Sequence, residues 1–169
     1  MQVNWGDCIQ VHREKEPVQE IPYYSFDGKR AWQDVDYQVA LGARIPGSAA
    51  HAQTVQWIEE RLRGLNWEVQ TQELQVSVGD GEQTVRNVVA KMGSGRPWLI
   101  LGAHYDSRLV SDHDPNPELR TTPVPGGNDG ASGVAVLMEL GRVLPNYLRY
   151  PMPGSELRAA QVWLVFFDA

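Results

Sequence analysis

An apolar run that closes on acid-base residues sets the strongest constraint on this chain. Trp98-Leu99-Ile100-Leu101-Gly102-Ala103 reads as a buried strand, and His104-Tyr105-Asp106-Ser107 follows it directly. A strand that delivers His104 and Asp106 at its carboxyl end puts both where an open α/β sheet keeps its ligands. At i and i+2 the two side chains share one face of the strand. His104 is then able to offer one ring nitrogen to a metal while Asp106 holds the N–H of the other, the usual support for a zinc-bound histidine. Further on, Gly126-Gly127-Asn128-Asp129-Gly130-Ala131-Ser132-Gly133 opens a helix. Asp129, just ahead of that helix, is suited to cap its N-terminus and still present a carboxylate to a cation. His104, Asp106 and Asp129 together look like half of a zinc site.

The rest of the chain supplies a scaffold for such a site. Trp32, Val35 and Val39 before the Gly42 stop predict a first helix. Val55, Ile58, Leu62 and Leu65 after a Ser48 cap predict a second, and both are expected to pack on a sheet. Val69 to Val78 and Thr84 to Met92 flank Gly79-Asp80-Gly81 and are rich in β-branched residues, which predicts a hairpin. Val134, Leu137, Met138 and Gly141 share one face of the helix after Asp129, which Pro145 is expected to end, with a loop over 146–160. Gln161 to Phe167 is a continuous apolar strand, as found where both faces of a parallel sheet are covered. Residues 1 to 25 carry mixed charges without a period. The division expected is an N-terminal arm over 1–30 and a catalytic-type domain over 31–169. Strands alternating with helices imply a three-layer α/β/α sandwich on a mixed, mostly parallel sheet. There is no internal repeat and no low-complexity tract.

Composition narrows the function classes. A chain of 169 residues is long enough for one domain that buries roughly 70% of its unfolded surface. A net charge of −6 with no basic stripe argues against nucleic-acid binding. No apolar run approaches the ~20 residues that a membrane-spanning helix needs. Met1 to Gln10 is polar and does not read as a signal peptide. The single cysteine, Cys8, excludes an internal disulfide. Oligomeric state is not readable from these features.

The segment from Leu99 to Leu144, followed by Val162-Trp163-Leu164-Val165-Phe166-Phe167-Asp168-Ala169, resembles metallopeptidase family twenty-eight. That family contains zinc aminopeptidases and glutaminyl cyclases. Arg44-Ile45-Pro46-Gly47-Ser48 and the amphipathic helix after it are similar to the same family's lead-in. The resemblance implies a zinc peptidase-like α/β/α fold, Zn2+ as cofactor (one ion or two) and peptide N-termini as substrate. In the aminopeptidases the histidine matching His104 binds one zinc, the aspartate matching Asp129 bridges two, and an acidic pair follows the next strand. The first acid of that pair is the general base, and the pair would begin where this chain stops at Ala169. The resemblance therefore implies the first half of a catalytic domain, truncated on its C-terminal side. It also implies that the strand from Gln161 to Phe167 is left as an edge prone to association. Relatives are often secreted or periplasmic, so localisation stays open. Members often hold the peptide after the bridging aspartate in cis, which implies a cis or distorted Asp129–Gly130 bond.

Ser111-Asp112-His113-Asp114-Pro115-Asn116-Pro117-Glu118 looks like the Asp/Pro-rich loop of bacterial glutaminyl cyclases and favours that branch. In it one zinc is typical, Asp129 stays a ligand, and His104 lines the pocket without necessarily binding metal. Duller readings stand beside these. His104 could be a hydrogen-bonded core residue, Asp129 only a helix cap, and Asp106 only an acceptor for backbone amides. Asp112, Asp114 and Glu118 read as a solvated loop, and His51 and His113 as surface residues. A non-catalytic peptidase-like binding domain would show an eroded ligand set, which this chain does not. Ser107 and Ser132 lack the Gly-x-Ser-x-Gly elbow of a serine hydrolase.

Overall fold

The computed structural model describes residues 25–78, 81–152, 154–155 and 159–168, so the expected arm lies outside the described residues as far as Tyr24. Seven main elements follow in order: α1 (Gly28–Leu41), α2 (Ala49–Gly64), β1 (Glu68–Val78), β2 (Gly81–Met92), β3 (Trp98–His104), α3 (Ser132–Arg149) and β4 (Gln161–Phe167). Asp27 caps α1 by accepting from the amides of Lys29 and Arg30, and Ser48 caps α2 by accepting from the amide of His51. Both caps satisfy N–H groups that the first turn leaves without partners.

One four-stranded sheet runs in the order β1-β2-β4-β3. β1 and β2 pair antiparallel from Glu68↔Lys91 to Val78↔Gly81, as the hairpin pattern predicts. β2 pairs antiparallel with β4, and β4 pairs parallel with β3 from Trp98↔Gln161 to His104↔Phe167. The sheet is mixed, but among the described strands two of its three pairings are antiparallel. The hairpin turns β2 back, and that reversed strand then seats β4. β4 is consequently not the open edge expected of it: β2 and β3 flank it on both sides. Among the described strands the edges are β1 and β3, and Trp98 and Ile100 of β3 are more than half exposed. An edge of this kind is where association is expected.

The core gathers where α2 and α3 cover the sheet. Ile58 and Leu62 of α2, Val134, Leu137 and Met138 of α3, Val88 and Ala90 of β2, and Val162, Leu164 and Phe166 of β4 form one buried cluster. On the opposite face Trp98 stacks on Trp163 with ring centres 5.5 Å apart, and the Lys91 ammonium stands 4.2 Å from the Trp163 ring centre.

Two helices depart from the pattern read in the sequence. α1 exists, but it lies chiefly on α3 rather than on the sheet, and it buries Ala31, Asp34 and Gln38. Its apolar stripe instead faces outward: Trp32, Val35 and Val39, with Ala135 and Val136 of α3, line a groove of about 730 Å³. The buried stripe is polar and only partly matched, since Asp34 Oδ2 and Gln38 Oε1 have no hydrogen-bond partner among the described residues. Asp34 pairs with the Arg61 guanidinium, and Gln38 donates to the carbonyls of Asp34 and Ala131. α3, for its part, runs past Pro145 to Arg149. Proline at that position removes the N–H that would bond the Gly141 carbonyl. The Trp67 indole N–H takes that place at 2.8 Å, so no acceptor is left bare.

α1 is tied to α3 at its start through Glu139, which is 1% exposed. The Glu139 carboxylate accepts from the Asp27 amide at 2.8 Å and pairs with Arg142 and Arg30. Burial alone would raise its pKa, but the Arg142 guanidinium, the Asp27 amide and Arg30 outweigh burial and hold it below the ordinary glutamate value. A depressed carboxyl pKa stabilises the fold above the unfolded value and loses that contribution as pH falls through the folded one. Glu139→Gln is expected to cost roughly 1.5–3 kcal/mol at pH 7, the range for a hydrogen bond to a charged group. Thermal melts of both chains should converge as pH drops below the normal carboxyl range. A gap that stays constant to acid pH refutes the assignment.

Candidate metal centre

His104 ends β3 and Asp106 stands two residues on, where the parallel pairing with β4 finishes and the Tyr105 amide donates to the Phe167 carbonyl at 2.9 Å. That last bond carries the strand's alternation past its end. The His104 Nδ1–H accordingly donates to Asp106 Oδ1 at 3.0 Å, the pairing the i, i+2 spacing predicts. Nε2 of the same ring lies 2.9 Å from Asp129 Oδ1. The tautomer follows from this network. With Nδ1–H committed to Asp106, a neutral ring turns the lone pair of Nε2 toward a carboxylate oxygen. Two electron-pair donors meeting at that distance call for a proton or a cation between them.

The residues present thus fit one side of a zinc site, with an imidazole nitrogen and a carboxylate oxygen converging. Both side chains are open to solvent, His104 at 44% and Asp129 at 69%. Among the described residues no third His, Cys, Asp or Glu joins them in a group able to hold a metal.

Asp129 reaches His104 by a route other than the helix cap expected. It sits in a π-type turn, Gly127–Ala131, and its own backbone is non-helical at φ −89°, ψ 111°. α3 begins three residues later with Ala131 at its cap position and no side-chain cap there. The carboxylate is released from the helix and turned to the imidazole. Nor is the Asp129–Gly130 bond cis: among the described residues the only cis peptide is Arg96–Pro97. Gly130 makes the reversal instead, at φ +92° and ψ −69°, a conformation costly for any residue with a Cβ.

His51, expected on the surface, is fully buried. Its Nε2–H donates to Asp168 Oδ2 at 2.9 Å, and Asp168 also accepts from the Arg86 amide at 2.8 Å. The ring packs on Tyr105 with centres 5.0 Å apart. Tyr105 donates its hydroxyl to the Arg86 carbonyl, and burial, with Asp168 nearby, holds that hydroxyl protonated far above the ordinary phenol range. A lone histidine inside an amphipathic helix gives no sign of this; the matching Asp after the apolar β4 is the only hint in the sequence.

The loop between the two motifs is solvated, as expected. Asp112 pairs with Arg108, Asp114 accepts from the Asn116 amide, and His113 is 86% exposed. Ser107 is buried, and its hydroxyl accepts from the Arg44 amide at 2.9 Å.

Residues 87–169 match the family model described as Peptidase family M28. A Zn-dependent exopeptidase from Parabacteroides distasonis superposes with a TM-score of 0.75 at 32% identity, covering 87% of this chain and 48% of that one. A glutaminyl cyclase from Porphyromonas gingivalis gives 0.73 at 34% identity, with 85% and 48% covered. A glutaminyl-peptide cyclotransferase from Drosophila melanogaster is 28% identical over 127 residues, which are 74% of this chain and 32% of the relative. The chain spans about half the length of these solved structures. A His–Asp donor pair at the carboxyl end of a parallel strand, the matched segment and the shared fold agree: residues 87–169 are similar to peptidase family M28, and the chain has the fold of the zinc exopeptidase and glutaminyl cyclase structures it matches.

Proposed function

We propose that this chain carries the His104–Asp129 side of a zinc centre in an enzyme that acts on the N-terminal residue of peptides. The observation that carries the reading is the 2.9 Å approach of His104 Nε2 to Asp129 Oδ1 with the other ring nitrogen already held by Asp106. Asp106 keeps the imidazole in the tautomer that leaves Nε2 free to ligate, and Asp129 supplies an anionic oxygen beside it. Zinc bound there would polarise a substrate carbonyl or carboxamide. The loop 111–118 and the two glutaminyl cyclase-type relatives support cyclisation of an N-terminal glutamine with loss of ammonia. The exopeptidase relative supports a second reading, hydrolytic release of the first residue at a two-zinc site.

Zinc sites need at least three protein ligands, and two are at hand among the described residues. The 169-residue chain alone is therefore expected to bind zinc weakly, in a manner lost with Asp129→Ala, and to turn over no peptide. Competition with a chromophoric chelator measures the first, and an ammonia-release assay the second. Robust turnover by the isolated chain would refute the two-donor account. In a protein carrying both halves of the fold, glutaminyl and leucyl peptides separate the branches. A pyroglutamyl product with ammonia supports the cyclase reading, and free leucine alone supports the aminopeptidase.

A further inference from the structure

Arg44 is the largest fully buried side chain of the described residues, and none of the carboxylates among those residues forms an ion pair with it. Its guanidinium is spent on main-chain carbonyls: Nε donates to Tyr105 at 2.8 Å, Nη1 to Pro125 at 3.0 Å and to Gln38 at 3.4 Å, and Nη2 to Gly126 at 2.6 Å. The backbone of Arg44 adds a reciprocal pair, its amide donating to Ser107 Oγ and its carbonyl accepting from the Ser107 amide at 3.1 Å. Tyr105 lies between His104 and Asp106. Pro125 and Gly126 lead directly into the turn that carries Asp129. One planar fork therefore joins the segment bearing the imidazole to the segment bearing the carboxylate, and ties both to the end of α1.

Shape confirms how closely the two segments gather around this group. Gly126 stands at φ +64°, and a Cβ there would lie 2.6 Å from Arg44 Nη2 and 2.8 Å from Ser107 Cβ. A Cβ on Gly130 would lie 3.5 Å from Nη2. Burial lowers the Arg44 pKa, which Asp106 partly opposes. A buried charge with no ion-pair partner among the described residues points to use of its geometry. A rigid fork reaches four carbonyl groups in different directions, which a single ammonium does not.

We propose that Arg44 is a positioning residue for the metal centre: it sets the spacing of the His104 and Asp129 donors by bracing the β3 exit against the Gly126–Asp129 turn. This rests on the zinc reading above. Side chains that orient metal ligands typically change affinity by about 10- to 100-fold when altered. Arg44→Lys, which keeps the charge and loses the fork, is expected to weaken cobalt(II) binding by that factor and to diminish the visible absorption of a low-symmetry site. Ser48→Ala removes the α2 cap in the same stretch of sequence and should leave cobalt affinity unchanged. Arg44→Lys that melts cooperatively with wild-type affinity and spectrum overturns the proposal. If that variant does not fold, amide exchange on the wild-type chain decides. The brace and the metal hold the same two segments, so cobalt should slow exchange at the amides of Ser107 and Ala131, and unchanged rates overturn the proposal. Cobalt binding that persists in Asp129→Ala removes the zinc reading itself, whereas Asp129-dependent binding indifferent to Arg44→Lys removes only the brace.

Discussion

Gly130→Ala is expected to destabilise the chain by roughly 2–6 kcal/mol, combining backbone strain with a forced close contact. The φ of +92° is one that L-residues rarely adopt, and the new Cβ would lie 2.7 Å from the Asp106 carbonyl oxygen. That neighbour is main chain, so relief requires moving the β3 exit or the turn before α3. Either movement changes the distance between His104 Nε2 and Asp129 Oδ1. Chemical denaturation measures the loss, and Gly28→Ala is the control, since a Cβ at that helical position meets nothing within 4 Å. Alanine there should be neutral or slightly stabilising, because it lowers unfolded-state entropy without strain. A Gly130→Ala chain with the denaturation midpoint of the wild type would show that the turn does not hold the conformation described.

The parts of this fold readable in the sequence are those where a single residue type serves a single purpose. Val55, Ile58 and Leu62 have no use for water, so their spacing reports the buried face of α2 directly. His104 and Asp106 are two residues apart in a strand, and the strand's period alone brings them together. α1 misleads because its buried stripe is Ala31, Asp34 and Gln38, where one Asp34 oxygen pairs with Arg61 and the Gln38 amide donates to the carbonyls of Asp34 and Ala131. Its apolar stripe borders an open groove, and hydrophobicity by itself does not say which side faces inward. Pro145 misleads for a related reason: the gap it leaves in the helix ladder is filled by Trp67, which is 74 positions away. Asp129 reads as cap and cation ligand together, since the same residue type serves both, and only the turn shows that the cap is not made. Long-range polar matching of this kind has no local periodicity. Arg44 belongs with these: the family-like stretch Arg44 to Ser48 marks the residue, and only the fold reveals the carbonyls it binds.

Asp168→Ala should cost roughly 3–5 kcal/mol, because it strips two hydrogen bonds from a buried carboxylate site and leaves both donors behind. The Arg86 amide and the His51 ring have no water at hand to replace the lost oxygen, as His51 is fully buried and Asp168 is 8% exposed. For a domain of this size the melting temperature would fall by roughly 6–20 °C. The damage should not stay local. His51 lies against Tyr105, and Tyr105 joins the two residues of the His104–Asp106 pair, so a loosened His51 removes one wall of the strand end that carries the donor. A double-mutant cycle with His51→Ala distinguishes this from simple cavity formation. If the pair acts as a unit, the second substitution adds much less than it costs alone. Additive costs would mean that Asp168 acts through the Arg86 amide alone, with β2 and not α2 steadying the carboxyl end of β4.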